Sequence, residues 1–91
     1  MTVTGSAPPA VTAAQRAVLV ALVRPMLASG AAAPAGNAAI ASEFVLSTET
    51  IRSHIKELYD RFGLEDVAPS AKRAELAAQA VRLGVVSRAD L

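Results

Sequence analysis

The stretch STETIRSHIKELYDRFG, residues 47–63, carries the strongest structural signal in this chain. Its large apolar residues recur at the spacing of one buried face on an α-helix. They are Ile51, Ile55, Leu58 and Phe62. Ser47 stands where a helix N-cap is expected, and Gly63 stands where a left-handed residue often ends a helix. The stretch therefore predicts an amphipathic helix with one face in a core and the other in solvent.

Composition limits the classes to which the chain can belong. With 91 residues, of which 53% are hydrophobic, it is expected to form one domain with one modest core. The absence of cysteine excludes disulfides, thiolate metal sites and cysteine nucleophiles. Arginines and prolines interrupt every apolar run, and the N-terminal residues lack the pattern of a secretory signal. We therefore expect no membrane span and a cytoplasmic location.

The first ten residues, MTVTGSAPPA, differ in character from the rest. They are small, polar and proline-containing, which is typical of a disordered lead-in or a linker. The sequence thus predicts a linker over residues 1–10 and a folded domain over residues 11–91.

The first helix is predicted from a capping box. Thr12 and Gln15 can each bond the other's backbone N–H, which fixes the helix start. Pro25 then removes one helical hydrogen bond and crowds the preceding turn. The helix is expected either to end near Arg24 or to kink and continue to Ala28. Its predicted apolar residues are Val18, Leu19, Leu22 and Met26.

Two further helices complete the expected fold. A short helix fits residues 37–44, with Asn37 as its cap, and a longer one fits residues 69–83. The longer helix is expected to bury Leu76, Ala80 and Leu83. No run is long enough to predict a strand. The sequence therefore predicts an all-α fold, a small four-helix domain in which two helices form a helix-turn-helix.

The central run GNAAIASEFVLSTETIRSHIKELYDRFGL, residues 36–64, contains a family pattern. The matching residues are Asn37, Ile40, Ala41, Leu46, Ser47, Thr50, Ile51, His54, Arg61, Phe62 and Gly63. This pattern resembles that of LuxR-type (GerE-like) helix-turn-helix domains, and the resemblance extends over residues 11–86. The chain departs from it in two longer connections and in Glu57. The resemblance implies a DNA-binding domain of a transcription regulator, with helix 47–62 in the major groove.

Three outward residues of that helix are the candidates for base contacts. By the resemblance, Arg52, Ser53 and Lys56 match positions that enter the major groove. Arginine and lysine can donate to guanine O6 and N7, and serine can pair with several bases. The alternative is that all three are ordinary solvated residues.

Three more residues are weaker candidates. Thr48 and Thr50 lie at the helix start, where hydroxyl groups can bond a phosphate or cap the helix. His54 fits a half-buried packing role or a phosphate contact. With one histidine and no cysteine we expect no metal site. Glu57 is expected to pair with Arg61, four residues on.

Two functions remain open from the sequence. A DNA reader would bind double-stranded DNA as a homodimer through the fourth helix, with Ala77 or Val81 exposed, or within a larger parent protein. The net charge is only +1, and residues 47–63 carry equal numbers of basic and acidic groups. This favours the alternative, a protein-interaction module that has lost DNA binding. No catalytic set or glycine-rich phosphate loop is present, so no enzyme activity or cofactor is expected.

Overall fold

The computed structural model describes residues 9–90, which fold into four helices and a final turn of 3-10 helix. They are α1 (Ala13–Ser29), α2 (Asn37–Phe44), α3 (Thr48–Arg61), α4 (Pro69–Arg82) and the 3-10 turn (Arg88–Asp90). No strand occurs in that part of the chain, so the predicted all-α class is confirmed. None of the helices within residues 9–90 is long and apolar enough to cross a membrane. Most of the predicted linker, residues 1–8, lies outside the described residues.

The core forms around α1, which packs against α2, α3, α4 and the 3-10 turn. Every residue from 18 to 23 is buried, so the middle of α1 has no solvent-facing side. The predicted apolar face of α3 is buried against it, and Leu76 and Ala80 of α4 are buried as predicted. Leu83 is only half-buried.

The start of α1 follows the prediction, and its end agrees with the second of the two expected alternatives, in which the helix continues past Pro25. Thr12 Oγ1 accepts from the Gln15 N–H at 3.1 Å, and Gln15 Oε1 accepts from the Thr12 N–H at 2.9 Å. The helix does not end near Arg24 but continues through Pro25 to Ser29. The Pro25 carbonyl stabilises this extra turn, because it accepts from the Ser29 hydroxyl at 2.8 Å. Gly30 then ends the helix with a left-handed φ of 69°.

The start of α2 is held by a residue of α4. The prediction that Asn37 caps α2 is wrong, because Gly36 occupies the N-cap position. The Asn37 side chain instead accepts a hydrogen bond from the Arg73 guanidinium. Arg73 also donates to the Ala35 carbonyl at 3.1 Å. A charged side chain from α4 therefore fixes the connection that leads into α2.

The 3-10 turn is fastened to the beginning of α1. Asp90 accepts from the Ser87 backbone N–H at 2.9 Å and forms a salt bridge with Arg16. The hydrogen bond from Ser87, together with the bond and the charge of Arg16, lowers the pKa of Asp90 below its ordinary value. This contact places Val86, which is fully buried, against the helical core.

The turn between α2 and α3 contains the one non-glycine residue with positive φ in residues 9–90. Val45 ends α2 in the left-handed region with φ 56°, and its side chain is 89% exposed. This conformation costs an L-residue about 1–2 kcal/mol, and a β-branched residue adopts it rarely. The strain lies directly before the first turn of α3.

We expect Val45→Gly to raise the free energy of unfolding by about 1 kcal/mol, since glycine removes the left-handed strain and only a solvated side chain is lost. Urea denaturation would measure the change. Val45→Ala is the matched control, because it removes the apolar side chain without relieving the backbone, and it should gain much less. A glycine variant less stable than the parent would show that the valine side chain stabilises the turn.

Candidate nucleic-acid interface

The rotation of α3 is fixed by its buried face. Ile51, Ile55 and Leu58 are all buried in the core. The same rotation turns Arg52, Ser53 and Lys56 into solvent together; all three are exposed. The predicted patch therefore exists as a surface, with α2 packed beside α3. Its contact with DNA stays a prediction.

The first turn of α3 is capped as predicted. Ser47 Oγ accepts from the Thr50 N–H at 3.1 Å, and the hydroxyl oxygens of Ser47 and Thr50 lie 2.9 Å apart. The Thr50 hydroxyl is thus engaged in the cap, which favours the capping interpretation for that residue. Thr48 is exposed and forms no side-chain hydrogen bond with residues 9–90, so a phosphate contact stays a prediction for Thr48.

His54 is partly buried on the side of α3 next to the core face. This placement agrees with the predicted packing role. In the described part of the chain, no three His, Asp or Glu side chains lie close enough together to hold a metal ion. A phosphate contact by His54 stays a prediction.

Arg52 is paired within its own helix. Its Nη1 donates to Glu49 Oε1 at 2.6 Å, and the two side chains are 62% and 75% exposed. Such an exposed pair adds only a few tenths of a kcal/mol to stability, about 0.2–0.5 kcal/mol. The larger effect of the pair is to neutralise the positive charge of Arg52, a residue that is predicted to contact DNA. Sequence reasoning missed this pair, although the three-residue spacing was a usable signal.

Glu57 has a different partner from the predicted one. The expected pair with Arg61 is wrong: Gln15 Nε2 donates to Glu57 Oε1 at 2.8 Å. Gln15 is only 2% exposed, and a buried amide requires a hydrogen-bond partner. Arg61 instead donates to the Ala10 carbonyl at 3.1 Å. Glu57 therefore joins α3 to the start of α1.

Lys56 forms no salt bridge with residues 9–90. It lines a shallow open depression with Ser53, Glu57 and Asp60. Two of these neighbours are acidic, so the depression itself does not favour an anion. Lys56 is nevertheless a cation on the outward face of α3, and no carboxylate within residues 9–90 forms a salt bridge with it.

The fourth helix leaves one of the two alternative residues, Val81, exposed for dimerisation. Leu76 and Ala80 are fully used in the core of the chain. Ala77, the other alternative, is buried because it lies beside Leu76 on the inner face. The exposed fraction of Val81 is 39%. A homodimer through α4 stays a prediction and would have to use Val81 and its polar neighbours.

Fold and site together define a small all-α domain that presents the N-terminal half of α3 next to a tight turn. No protein-family model, curated protein or solved structure matches this chain.

Proposed function

We propose that this chain is a sequence-specific DNA-binding domain of a transcription regulator, of the LuxR-type helix-turn-helix class, with α3 in the major groove. One observation carries the proposal. Arg52, Ser53 and Lys56 are exposed together on a helix whose opposite face is locked in the core. The short helix α2 and a tight turn precede it, which is the arrangement that docks such helices on a duplex.

The residue types fit this role. Arg52 has the donors for a bidentate contact with guanine O6 and N7. Ser53 can pair with several bases, and Lys56 can donate to a base or a phosphate. Thr48, in the first turn, can bond a phosphate and set the depth of the helix in the groove.

A single domain of this size would bind weakly. One helix gives a small interface, so useful affinity requires two copies on two half-sites or a larger parent protein. The outward face of α3 is close to neutral because its acidic residues balance its basic ones, and Glu49 pairs directly with Arg52. Affinity would therefore come from the placement of donors more than from bulk charge.

A second candidate is a protein-interaction module. The observation that favours it is an exposed apolar pair directly before α3, with Val45 89% and Leu46 45% exposed. Exposed neighbouring apolar residues are typical of contacts with other proteins. The acidic groups on α3 also suit this alternative.

Salt dependence of duplex binding distinguishes the two. Nonspecific dissociation constants reach about 100 µM, so the full chain should be titrated to that concentration against a randomised duplex library at low salt. A DNA reader should lose affinity with a log–log slope of about −0.9 per phosphate neutralised, and selection should enrich one sequence. An absence of duplex binding at the highest protein concentration would contradict the proposal and favour the interaction module.

A further inference from the structure

The Glu49–Arg52 pair lies in the part of α3 that the proposed function places nearest to the bases. Glu49 is in the first turn of the helix and Arg52 is one turn further on. Glu49 Oε1 accepts from Arg52 Nη1 at 2.6 Å. Within residues 9–90, the other nitrogens of this guanidinium and Glu49 Oε2 form no hydrogen bond. The pair therefore keeps donors and an acceptor free while each charge is neutralised.

The free atoms match the edges of two bases. The Nε and Nη2 edge of an arginine can donate two parallel bonds to guanine O6 and N7. A carboxylate oxygen can accept from the N4 amino group of cytosine. Both contacts can form while Nη1 stays on the carboxylate, because each uses atoms that the ion pair leaves free.

The spacing of the two residues is compatible with the spacing of base pairs. Three residues rise about 4.5 Å along a helix, and a base-pair step rises about 3.4 Å. When α3 follows the groove, the two side chains can therefore reach the same base pair or neighbouring ones. The ion pair also limits the rotamers of Arg52 before binding. Less conformational entropy is therefore lost when the Arg52 guanidinium binds guanine.

We infer that Glu49 is a specificity-determining residue, which orients Arg52 towards a guanine and accepts a hydrogen bond from a cytosine at the same or a neighbouring base pair. This inference rests on the proposed function. The inference gives Glu49 a different effect on binding from that of the other acidic residues of α3. An unpaired carboxylate near phosphates would weaken binding to every sequence equally, whereas Glu49 selects among sequences.

The test compares Glu49→Gln with Asp60→Asn in the full chain. Both changes remove one negative charge from an exposed position on α3. Asp60 lies at the far end of the helix, so its variant controls for charge alone. Both proteins are put through the same selection from a randomised duplex library. Affinity is then measured for the preferred duplex and for each alternative base at every position.

Glu49→Gln keeps one acceptor oxygen but loses the charge, so the preference for cytosine at one position should fall by about 5-fold, and the new amide should favour adenine there. Asp60→Asn should leave all preferences unchanged and raise affinity slightly for every sequence. The same uniform rise in both variants would overturn the inference and leave the proposed function standing. No duplex binding by the unmodified chain would overturn both.

Discussion

Replacing Ile55 with alanine is expected to lower the free energy of unfolding by about 2–5 kcal/mol. Ile55 is 3% exposed in the middle of α3, and it shares one cluster with Leu22 of α1 and Leu76 of α4. The loss combines the burial of the removed methyl and methylene groups with the cavity that they leave. Small domains are stable by about 5–15 kcal/mol and often by less, so much of the total would be lost.

Lys56→Ala is the matched control for this experiment, because it truncates the next residue of the same helix to the same side chain. Lys56 is exposed and forms no salt bridge with residues 9–90, so its variant should change stability by about 0.5 kcal/mol or less. Urea denaturation of both variants gives the comparison. Equal small changes would contradict the orientation of α3, on which the exposed patch depends.

The rotation of α3 could be predicted because the helix is amphipathic. Its apolar residues recur at helical spacing, and the positions between them are polar or charged. Only one rotation buries Ile51, Ile55 and Leu58 together, and that rotation exposes Arg52 and Lys56. Local sequence therefore determined which side chains reach solvent.

The burial of α1 could be predicted only in part. We expected one apolar face ending at Met26, but residues 18–23 are buried without interruption and Met26 is half-buried. The middle of a helix that is surrounded by other elements has no solvent side, so that segment shows no period from which a face can be read. Leu64 and Val86 were not predicted as core residues for a related reason. Both follow the end of a helix, where no periodic pattern applies.

The hydrogen-bond partners were the least predictable part of the site. Gln15 and Glu57 are 42 positions apart, and no local rule brings an amide of α1 to a carboxylate of α3. Arg73 reaches Asn37 across a similar distance in sequence. Polar groups inside or at the edge of a core take whichever partner the tertiary fold offers: buried Gln15 bonds Glu57, and half-buried Arg73 bonds Asn37.

The second large effect is expected in DNA binding. If α3 lies in the major groove, Arg52→Ala should weaken binding to the preferred duplex by about 1–3 kcal/mol and relax the sequence preference at one position. Part of the loss arises because Glu49 is left without its partner close to phosphates. Arg52→Lys distinguishes the loss of the guanine contact from the loss of the partner of Glu49. Lysine still neutralises Glu49 but lacks the planar fork, so this variant should lose preference for guanine more than overall affinity.

Lys56→Ala should act differently if Lys56 contacts only a phosphate. Binding should then weaken about equally for all sequences, and the slope of log affinity against log salt should flatten by about one unit. If Lys56 contacts a base, its removal should also relax the preference at a second position. The two variants are compared by fluorescence binding to matched duplexes over a range of salt. Small and equal losses from both, with no change in preference, would mean that α3 attracts DNA through charge alone and does not read its sequence.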